Sequence, residues 1–193
     1  MSEPKIYTTT EWGARIVTQT FKASKAEGIV IHNTENPNRT PSSGAAEEQT
    51  SFKICRAIQI HHMESNGWSD TGQHFTVSRG GLILEGRTGS LAAARNGKVL
   101  QGAHASGVTR YNTKWFGIEL EGFYVHEYAV TELQWDALVE LCAWLCYWGG
   151  LDTMSNIIGH MDVLAGHTNC PGLVEQHLPQ LRPQVHDRVG QLP

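Results

Sequence analysis

Positive charge and long apolar runs are both scarce in this sequence. Only 18% of the residues are charged, and the formal net charge is -4. Such a balance provides no broad basic surface for phosphate groups, so we expect no nucleic-acid partner. No stretch reaches the roughly 18 apolar residues that cross a lipid bilayer, so we also expect no membrane span.

The first residues, MSEPKIYTTT, lack the basic start and apolar run of a secretory signal peptide. We therefore expect synthesis in the cytoplasm. A target outside the cell would then be reached only after release or export by another route. We expect the protein to be a monomer.

Cysteine is also rare, and the four cysteines do not follow the spacing of a secreted disulfide scaffold. Cys142 and Cys146 lie one turn apart in a predicted helix, and we expect them to pack in the core as small apolar side chains. Histidine, in contrast, is abundant, with ten residues in the chain. Because imidazole is the commonest metal ligand in proteins, the positions of these histidines are informative.

The length of 193 residues and the hydrophobic content of 40% predict one domain with one core, residues 1–193. Predicted strands and helices are interspersed without an internal repeat, which indicates an α/β fold with a central mixed β-sheet flanked by helices. We predict strands at 28–34, 72–79, 82–87, 116–122 and 156–160, and helices at 45–64 and 131–150.

Local signals support several of these elements. Gly80 and Gly81 accept the positive φ of a tight hairpin between the strands at 72–79 and 82–87. The polar run at 36–44 predicts a surface loop, and alternation in FGIELEG predicts that Glu119 and Glu121 share one face. Thr131 is a predicted N-cap, and the tail after residue 175 is predicted to be helical and then irregular.

Two histidines and one cysteine form a candidate metal site. His32 and His160 end predicted strands, and Cys170 lies in a loop before Pro-Gly. A catalytic zinc ion takes three such nitrogen or thiolate ligands and leaves a fourth position for water. Spacing alone favours the simpler alternative, in which two hydrogen-bonded histidines and a buried thiol merely pack in the core.

Seven short motifs occur in one order: EWGAR at 11–15, IVIHNTE at 29–35, GWSDTGQHF at 67–75, LILEGR at 82–87, GAHASG at 102–107, FGIELEG at 116–122, and GHMDV with TNCPG between 159 and 172. Together they resemble the type-2 N-acetylmuramoyl-L-alanine amidases. This family includes bacterial and phage cell-wall amidases and the animal peptidoglycan recognition proteins. The resemblance covers about residues 10–175 and leaves 176–193 as a C-terminal tail.

The resemblance implies a zinc ion in a surface groove, with His32, His160 and Cys170 as its ligands. His167 is an alternative ligand, because it lies only three residues before Cys170. We favour His160 because it ends a strand. The resemblance also implies that Thr168 stabilises the developing oxyanion, a task that one donated hydrogen bond can perform.

One position departs from the family pattern. Relatives often carry Tyr in a GYHF motif, where this chain has Gln73. Glutamine can donate a hydrogen bond but cannot accept the proton of an attacking water. Gln73 is therefore a catalytic candidate with reduced capacity, and Glu119, His74 and His104 are candidate replacements. Each of these three also fits a structural role, Glu119 as a solvated strand residue and the histidines as packed rings.

Three further residues are candidates for binding substrate: Trp68, His104 and Asn112. Asn112 lies in a segment that family members place near the substrate, although a polar turn is the simpler interpretation. The aromatic residues Trp135, Trp144, Tyr147 and Trp148 have helical spacing, which favours core or helix-surface packing over a sugar-binding platform.

The function implied by the resemblance is zinc-dependent hydrolysis of the amide between N-acetylmuramic acid and L-alanine in peptidoglycan, as in a phage endolysin. A recycling enzyme or an exported effector also fits. One alternative is a peptidoglycan-binding module with little or no catalysis, for which Gln73 argues and Cys170 does not. Another is a structural zinc protein, which would require four protein ligands.

Overall fold

Six strands form the central sheet in a computed structural model that describes residues 2–191. The strands are β1 (Ile6–Tyr7), β3 (Gly28–Asn33), β4 (Phe75–Val77), β5 (Ile83–Glu85), β7 (Trp115–Leu120) and β8 (Ile157–Gly159). Their order is β1-β5-β4-β7-β3-β8, with β4 and β5 antiparallel and the other pairs parallel. A separate antiparallel pair contains β2 (Ala23–Lys25) and β6 (Lys98–Leu100). The mixed sheet confirms the predicted fold class.

Five α-helices accompany the sheet among the described residues: α1 (Gly44–Glu64), α2 (Ser90–Ala94), α3 (Thr109–Lys114), α4 (Glu132–Gly149) and α5 (Leu178–Gly190). Two 3-10 turns, His160–Asp162 and Gly172–His177, lie between β8 and α5. None of the helices within residues 2–191 combines the length and apolar character needed to span a membrane.

The larger core lies between one face of the sheet and helices α4 and α5. Helix α4 begins as predicted, because the Thr131 side chain accepts a hydrogen bond from the Gln134 main-chain N–H. It ends at Gly149, and the residue that caps it, Gly150, has a φ of 62°. Its fully buried residues Leu138 and Leu141 pack with Ile29 and other strand side chains. Cys142 and Cys146 are buried here too, which confirms their predicted role in packing.

Helix α1 covers the opposite face of the sheet near its β1 edge. A second apolar cluster there contains Tyr7, Trp12, Cys55 and Leu84. The indole N–H of Trp12 donates to the Glu85 carbonyl oxygen at 2.7 Å, so this buried ring has its polar atom satisfied. The rest of this face, beyond the helix, is left open for polar side chains.

The predicted hairpin is confirmed, but its strands are shorter than 72–79 and 82–87. β4 starts only at Phe75. The residues before it keep separate main-chain hydrogen bonds, from the His74 N–H to the Gly117 carbonyl and from the Ala103 N–H to the Gly72 carbonyl, both at 2.9 Å. Gly81, with φ 82°, supplies the positive φ of the turn. The predicted helical tail is present as α5, and the irregular end predicted after it falls partly on residues 192 and 193, outside the described residues.

A buried ion cluster fixes the 36–43 loop. Arg39 donates to both carboxylate oxygens of Glu47, at 2.8 and 2.6 Å, and to both of Glu121, at 2.5 and 2.9 Å. Burial would raise the pKa of Glu47, but hydrogen bonds from Arg39, the Ser42 main chain and Ser51 outweigh it and lower the pKa to about 2. The loop is thereby tied to the start of α1 and the end of β7.

Replacing Glu47 with glutamine should lower the free energy of unfolding by about 3 kcal/mol near neutral pH. A carboxyl whose folded-state pKa is depressed stabilises the fold above its unfolded pKa, and this stabilisation disappears as the pH falls through the folded pKa. The difference between wild type and Glu47→Gln should therefore shrink between about pH 4.5 and pH 2. Urea unfolding followed by tryptophan fluorescence across this range measures it.

Glu64→Gln is the matched control, because Glu64 lies in the same helix and its pair with Arg15 is exposed. We expect a change below about 0.5 kcal/mol. Equal losses in the two variants, or a Glu47→Gln difference that does not shrink in acid, would contradict the assigned role of the buried cluster.

Candidate metal centre

Three side chains meet at one edge of the central sheet. His32 is the fifth residue of β3, His160 follows β8 directly, and Cys170 lies in the loop before the second 3-10 turn. Because β3 and β8 are parallel, they end at the same edge. The potential ligand atoms of His32, His160 and Cys170 all lie within 4.8 Å of one another.

The donor set and its spacing fit a transition-metal ion. Nδ1 of His32 lies 3.8 Å from Sγ of Cys170. With metal–nitrogen and metal–sulfur bonds of about 2.0 and 2.3 Å, two ligands of one tetrahedral zinc ion lie about 3.5 Å apart. Only small movements separate the observed arrangement from that geometry. His167 is exposed and lies outside this group, so the structure brings together His160 rather than the alternative.

Burial controls the protonation of these groups. It lowers the pKa of His32 well below its ordinary value, with further contributions from the neighbouring histidines, and it also lowers the pKa of His160. Both imidazoles are therefore neutral and have a lone pair available. Burial raises the pKa of the Cys170 thiol to about 12, so a bound cation would have to displace its proton.

Main-chain groups hold the cysteine loop against β3. The Asn33 N–H donates to Cys170 Sγ at 3.4 Å, and the Cys170 N–H donates to Thr168 Oγ1 at 3.1 Å. Thr168 thus uses its oxygen as an acceptor within the loop, and its hydroxyl hydrogen remains free to donate into the groove.

His104 lies behind His32, on the side away from Cys170. Its Nδ1 is 3.0 Å from Nε2 of His32, and its own Nε2 is 3.1 Å from the Trp115 carbonyl oxygen. His104 was a candidate for binding substrate or for proton transfer, but both of its ring nitrogens are engaged by protein groups. His74 packs edge-on against it, with Nε2 2.7 Å from the Leu100 carbonyl and Nδ1 accepting from the Gly117 N–H.

Asn112 fixes the loop that carries His104. Its Oδ1 accepts from the main-chain N–H groups of His104 and Ala105, both at 2.8 Å, and its Nδ2 donates to the Ala105 carbonyl at 2.7 Å. The amide predicted to contact substrate is thus engaged within the protein. Its neighbours are occupied too, since Arg110 pairs with Glu27 and Tyr111 contacts the Trp115 ring.

The three ligand candidates lie in a depression of about 200 Å³. Two further depressions, of about 320 and 400 Å³, share lining residues with it, so the three form one groove. Trp68 and Ala103 join the central part to the first, and Asn33, Glu35, His62 and Glu119 join it to the second. Trp68, a substrate-binding candidate, lies against His62 with ring centroids 4.8 Å apart.

Glu119 faces this groove from β7, where it is the register partner of His32. Burial and the negative charge of Glu35 raise the pKa of its carboxyl to about 8. Among the described residues no hydrogen-bond donor reaches this carboxylate. Glu35 itself sits at the exposed rim with φ 58°, a left-handed conformation that is unusual for glutamate.

Gln73 does not reach the groove. Its side chain is 1% exposed, its Nε2 donates to Thr76 Oγ1 at 3.1 Å, and its Oε1 is buried without a hydrogen-bond partner among the described residues. The side chain turns into the space beside β4, so Gln73 is not brought together with the other catalytic candidates.

Three residues that line the groove were not among the candidates from sequence: His62, Glu35 and Arg87. Arg87 is 4% exposed, donates from Nε to the Thr71 carbonyl at 2.9 Å and lies over the Phe21 ring. Burial lowers its pKa to about 10, so it stays charged near neutral pH. The sequence did contain an indication of Arg87, because it ends the LILEGR motif and an arginine beside a buried strand usually has a specific partner or function.

Comparisons with known proteins agree with this geometry. A family model described as N-acetylmuramoyl-L-alanine amidase matches residues 22–173. The chain is 33% identical over 168 residues to peptidoglycan-recognition protein SC2 of Drosophila simulans, covering 86% of this chain and 80% of that protein.

Two solved structures extend the likeness to the fold. The N-acetylmuramoyl-L-alanine amidase LysC of Clostridium intestinale is 26% identical, with a TM-score of 0.65 and coverage of 95% of this chain and 98% of that one. The ectodomain complex of peptidoglycan recognition proteins LCa and LCx, solved with tracheal cytotoxin, matches with a TM-score of 0.69 and 26% identity, covering 86% of this chain and 89% of that one.

Replacing Asn112 with alanine should lower the free energy of unfolding by about 2–3 kcal/mol, because three partly buried hydrogen bonds are lost at about 1 kcal/mol each. Asn96→Ala is the control, since Asn96 makes one exposed hydrogen bond to the Ala92 carbonyl. Chemical denaturation of both variants measures the difference. A loss for Asn112→Ala as small as that for Asn96→Ala would show that the loop does not depend on this amide.

Proposed function

Because the chain belongs to the type-2 N-acetylmuramoyl-L-alanine amidase family, we propose that it hydrolyses the amide between N-acetylmuramic acid and L-alanine in peptidoglycan, using zinc. The observation that carries the proposal is the convergence of two imidazoles and one thiol at the floor of an open groove. Three protein ligands beside an accessible space are typical of a catalytic zinc site rather than a structural one.

His32, His160 and Cys170 would hold the ion. Zinc at such a site supplies a Lewis acid that polarises a carbonyl group and lowers the pKa of water. The neutral state of the two histidines suits this role. The rest of the reaction depends on the groups of the chain that face the same depression.

We assign the proton transfer to Glu119. Its carboxyl group lies in the same depression as the three ligands and has no hydrogen-bond donor among the described residues, so it is free to face a water molecule. With a pKa of about 8 it is mostly protonated near neutral pH, and a zinc ion held beside it would lower that pKa and favour the carboxylate that accepts a proton. Water attacks the lactyl carbonyl carbon, and its proton passes to Glu119. The carbon–nitrogen bond then breaks, and the proton is delivered to the departing amine of L-alanine.

Thr168 would stabilise the oxyanion of the tetrahedral intermediate. Its hydroxyl oxygen is fixed by the Cys170 N–H, which leaves the hydrogen to point toward the depression that Thr168 lines. One donated hydrogen bond to a developing negative charge suffices for a measurable contribution to the rate. Thr168 is thus held by the same loop that presents Cys170.

The groove beyond the ligands suits a muramyl peptide. Trp68 and His62 provide an aromatic wall, and Arg87 lines the adjoining depression. Its buried guanidinium, which remains charged near neutral pH, would attract a carboxylate of the stem peptide. The complex of recognition proteins LCa and LCx with tracheal cytotoxin supports a ligand of this class. Action on the wall after release from the cytoplasm, as for an endolysin, is part of the proposal.

The second candidate function is peptidoglycan binding with little or no catalysis. It is favoured by the position of Gln73, whose amide is buried and faces no substrate. It is also consistent with the similarity to a recognition protein. Both candidates share the groove and its ligand, and they differ in the fate of the amide bond.

Digestion of purified peptidoglycan should release stem peptides that begin with L-alanine and should create no new reducing sugar ends. Mass spectrometry of the products measures this. Removal of zinc with a chelator should abolish the release, and added zinc should restore it. His160→Ala should lose bound zinc and activity together, whereas His167→Ala, the matched control, should keep both.

The outcomes separate the candidates. Binding to peptidoglycan without peptide release at any zinc concentration would overturn the amidase proposal and leave the recognition module. Full zinc content in His160→Ala would overturn the ligand assignment. Clearing of intact cell walls in a turbidity assay, with the same zinc dependence, tests the lytic role.

Glu119→Gln should lower kcat by about 10²–10⁴-fold while zinc content stays the same, because the amide keeps the shape of the carboxylate but cannot accept a proton. Glu35→Gln is the matched control at the rim of the same depression, and we expect less than about a fivefold change. Steady-state kinetics on a defined muropeptide measures both. A larger loss in Glu35→Gln than in Glu119→Gln would show that Glu119 is not the residue that transfers the proton.

A further inference from the structure

We infer that His104 is a positioning residue that fixes the tautomer and orientation of His32, so that the lone pair of His32 is on Nδ1 and faces the Cys170 side of the proposed site. The inference rests on the proposed zinc site and adds a residue that acts through a ligand rather than on substrate. Its basis is a chain of hydrogen bonds from the Trp115 carbonyl through His104 to His32.

The proton positions follow from the partners. The Trp115 carbonyl can only accept, so Nε2 of His104 must carry the hydrogen of their 3.1 Å contact. A neutral imidazole has only one N–H, and Nδ1 of His104 must therefore be the acceptor. The 3.0 Å contact to His32 then requires that Nε2 of His32 donates. The lone pair of His32 is left on Nδ1, the nitrogen that lies 3.8 Å from Cys170 Sγ.

Three features hold His104 in place. Its ring packs against Gly117, where a Cβ atom would come within 2.5 Å of Cγ of His104. Its main-chain N–H is fixed by Asn112, and its edge is covered by His74. These contacts leave His104 with 8% exposure. The ring therefore cannot swing toward a substrate without breaking the hydrogen bond to His32.

His104 differs from the usual hydrogen-bond partner of a ligating histidine, which is a carboxylate or a carbonyl group. A neutral imidazole in this place orients His32 without adding negative charge near the ion. The net charge of the ligand set then comes from Cys170 alone. His104 thus sets the orientation of His32 without bringing a charge of its own.

The test is the zinc affinity of the purified protein, measured by competition with a chromogenic chelator. His104→Leu should bind zinc about 10–100-fold more weakly, as is typical when a partner of a ligating histidine is removed. His104→Asn should recover most of the affinity, because Oδ1 of asparagine can accept the hydrogen bond from His32. Affinity in the asparagine variant as low as in the leucine variant would contradict the inference.

His74→Leu is the matched control. His74 is as deeply buried and also makes two hydrogen bonds to the main chain, but neither involves a proposed ligand. We expect its zinc affinity to stay within about threefold of wild type even if stability falls, because leucine still covers the edge of the His104 ring and the His104–His32 contact is retained. A loss in His74→Leu equal to that in His104→Leu would indicate a general effect of packing and would overturn the assignment.

A second readout does not involve metal. Long-range ¹H–¹⁵N spectra of the metal-free protein should show His32 with its hydrogen on Nε2, and His104→Leu should allow both tautomers. If His104→Leu fails to fold, Gly117→Ala provides the second variant, since its Cβ displaces the His104 ring while every hydrogen-bonding side chain is retained. Unchanged His32 tautomers and unchanged affinity in the folded variant would refute the role of His104.

These outcomes are separate from those of the proposed function. Absence of zinc binding in the wild-type protein would remove the proposed catalysis altogether. Normal zinc binding in wild type and in His104→Leu would leave the proposed function standing and remove only the inference about His104.

Discussion

Parallel pairing of β3 with both β7 and β8 is the constraint on which the groove depends. The pairing of β3 with β7 places Glu119 beside His32. The pairing of β3 with β8 places His160, the residue after β8, on the other side of His32. A shift of one residue in either strand would turn these side chains to the opposite face, into the apolar core. The polar groups converge because the apolar residues between them, such as Ile31 and Ile118, are fully buried under α4 and α5 and hold the register.

The environments of two carboxylates show how the fold divides its charges. Glu47 is surrounded by donors from Arg39, Ser42 and Ser51, which lower its pKa to about 2 despite burial. Glu119 is enclosed without a donor, and its pKa rises to about 8. The first arrangement stabilises a loop and the second leaves a group that is ready to exchange a proton. Arg39 is directed to the structural carboxylates, and no cationic side chain within residues 2–191 pairs with Glu119.

The strand ends that carry His32 and His160 were accessible from sequence, but the choice of the three ligands came from the family resemblance, because spacing alone favoured packed side chains. His32 and His160 end short apolar runs, and such runs predict strand ends at a common sheet edge. The role of Asn112 and the orientation of Gln73 were not accessible. A sequence pattern does not distinguish a side-chain amide that bonds to main-chain groups from one that contacts substrate. The packing of neighbouring loops decides between the two. The tautomer of His104 likewise depends on the Trp115 carbonyl, eleven residues away, whose direction no pattern encodes.

The last helix bears on how this protein can be combined with others. The family match ends at residue 173, whereas Leu178, Leu181 and Val185 of α5 are fully buried against α4. A chimera joined at residue 173 would leave the apolar face of α4 that α5 covers exposed to solvent, and exposed apolar surfaces promote aggregation. The transferable unit therefore extends through Gly190, and a new cargo is best attached after that point.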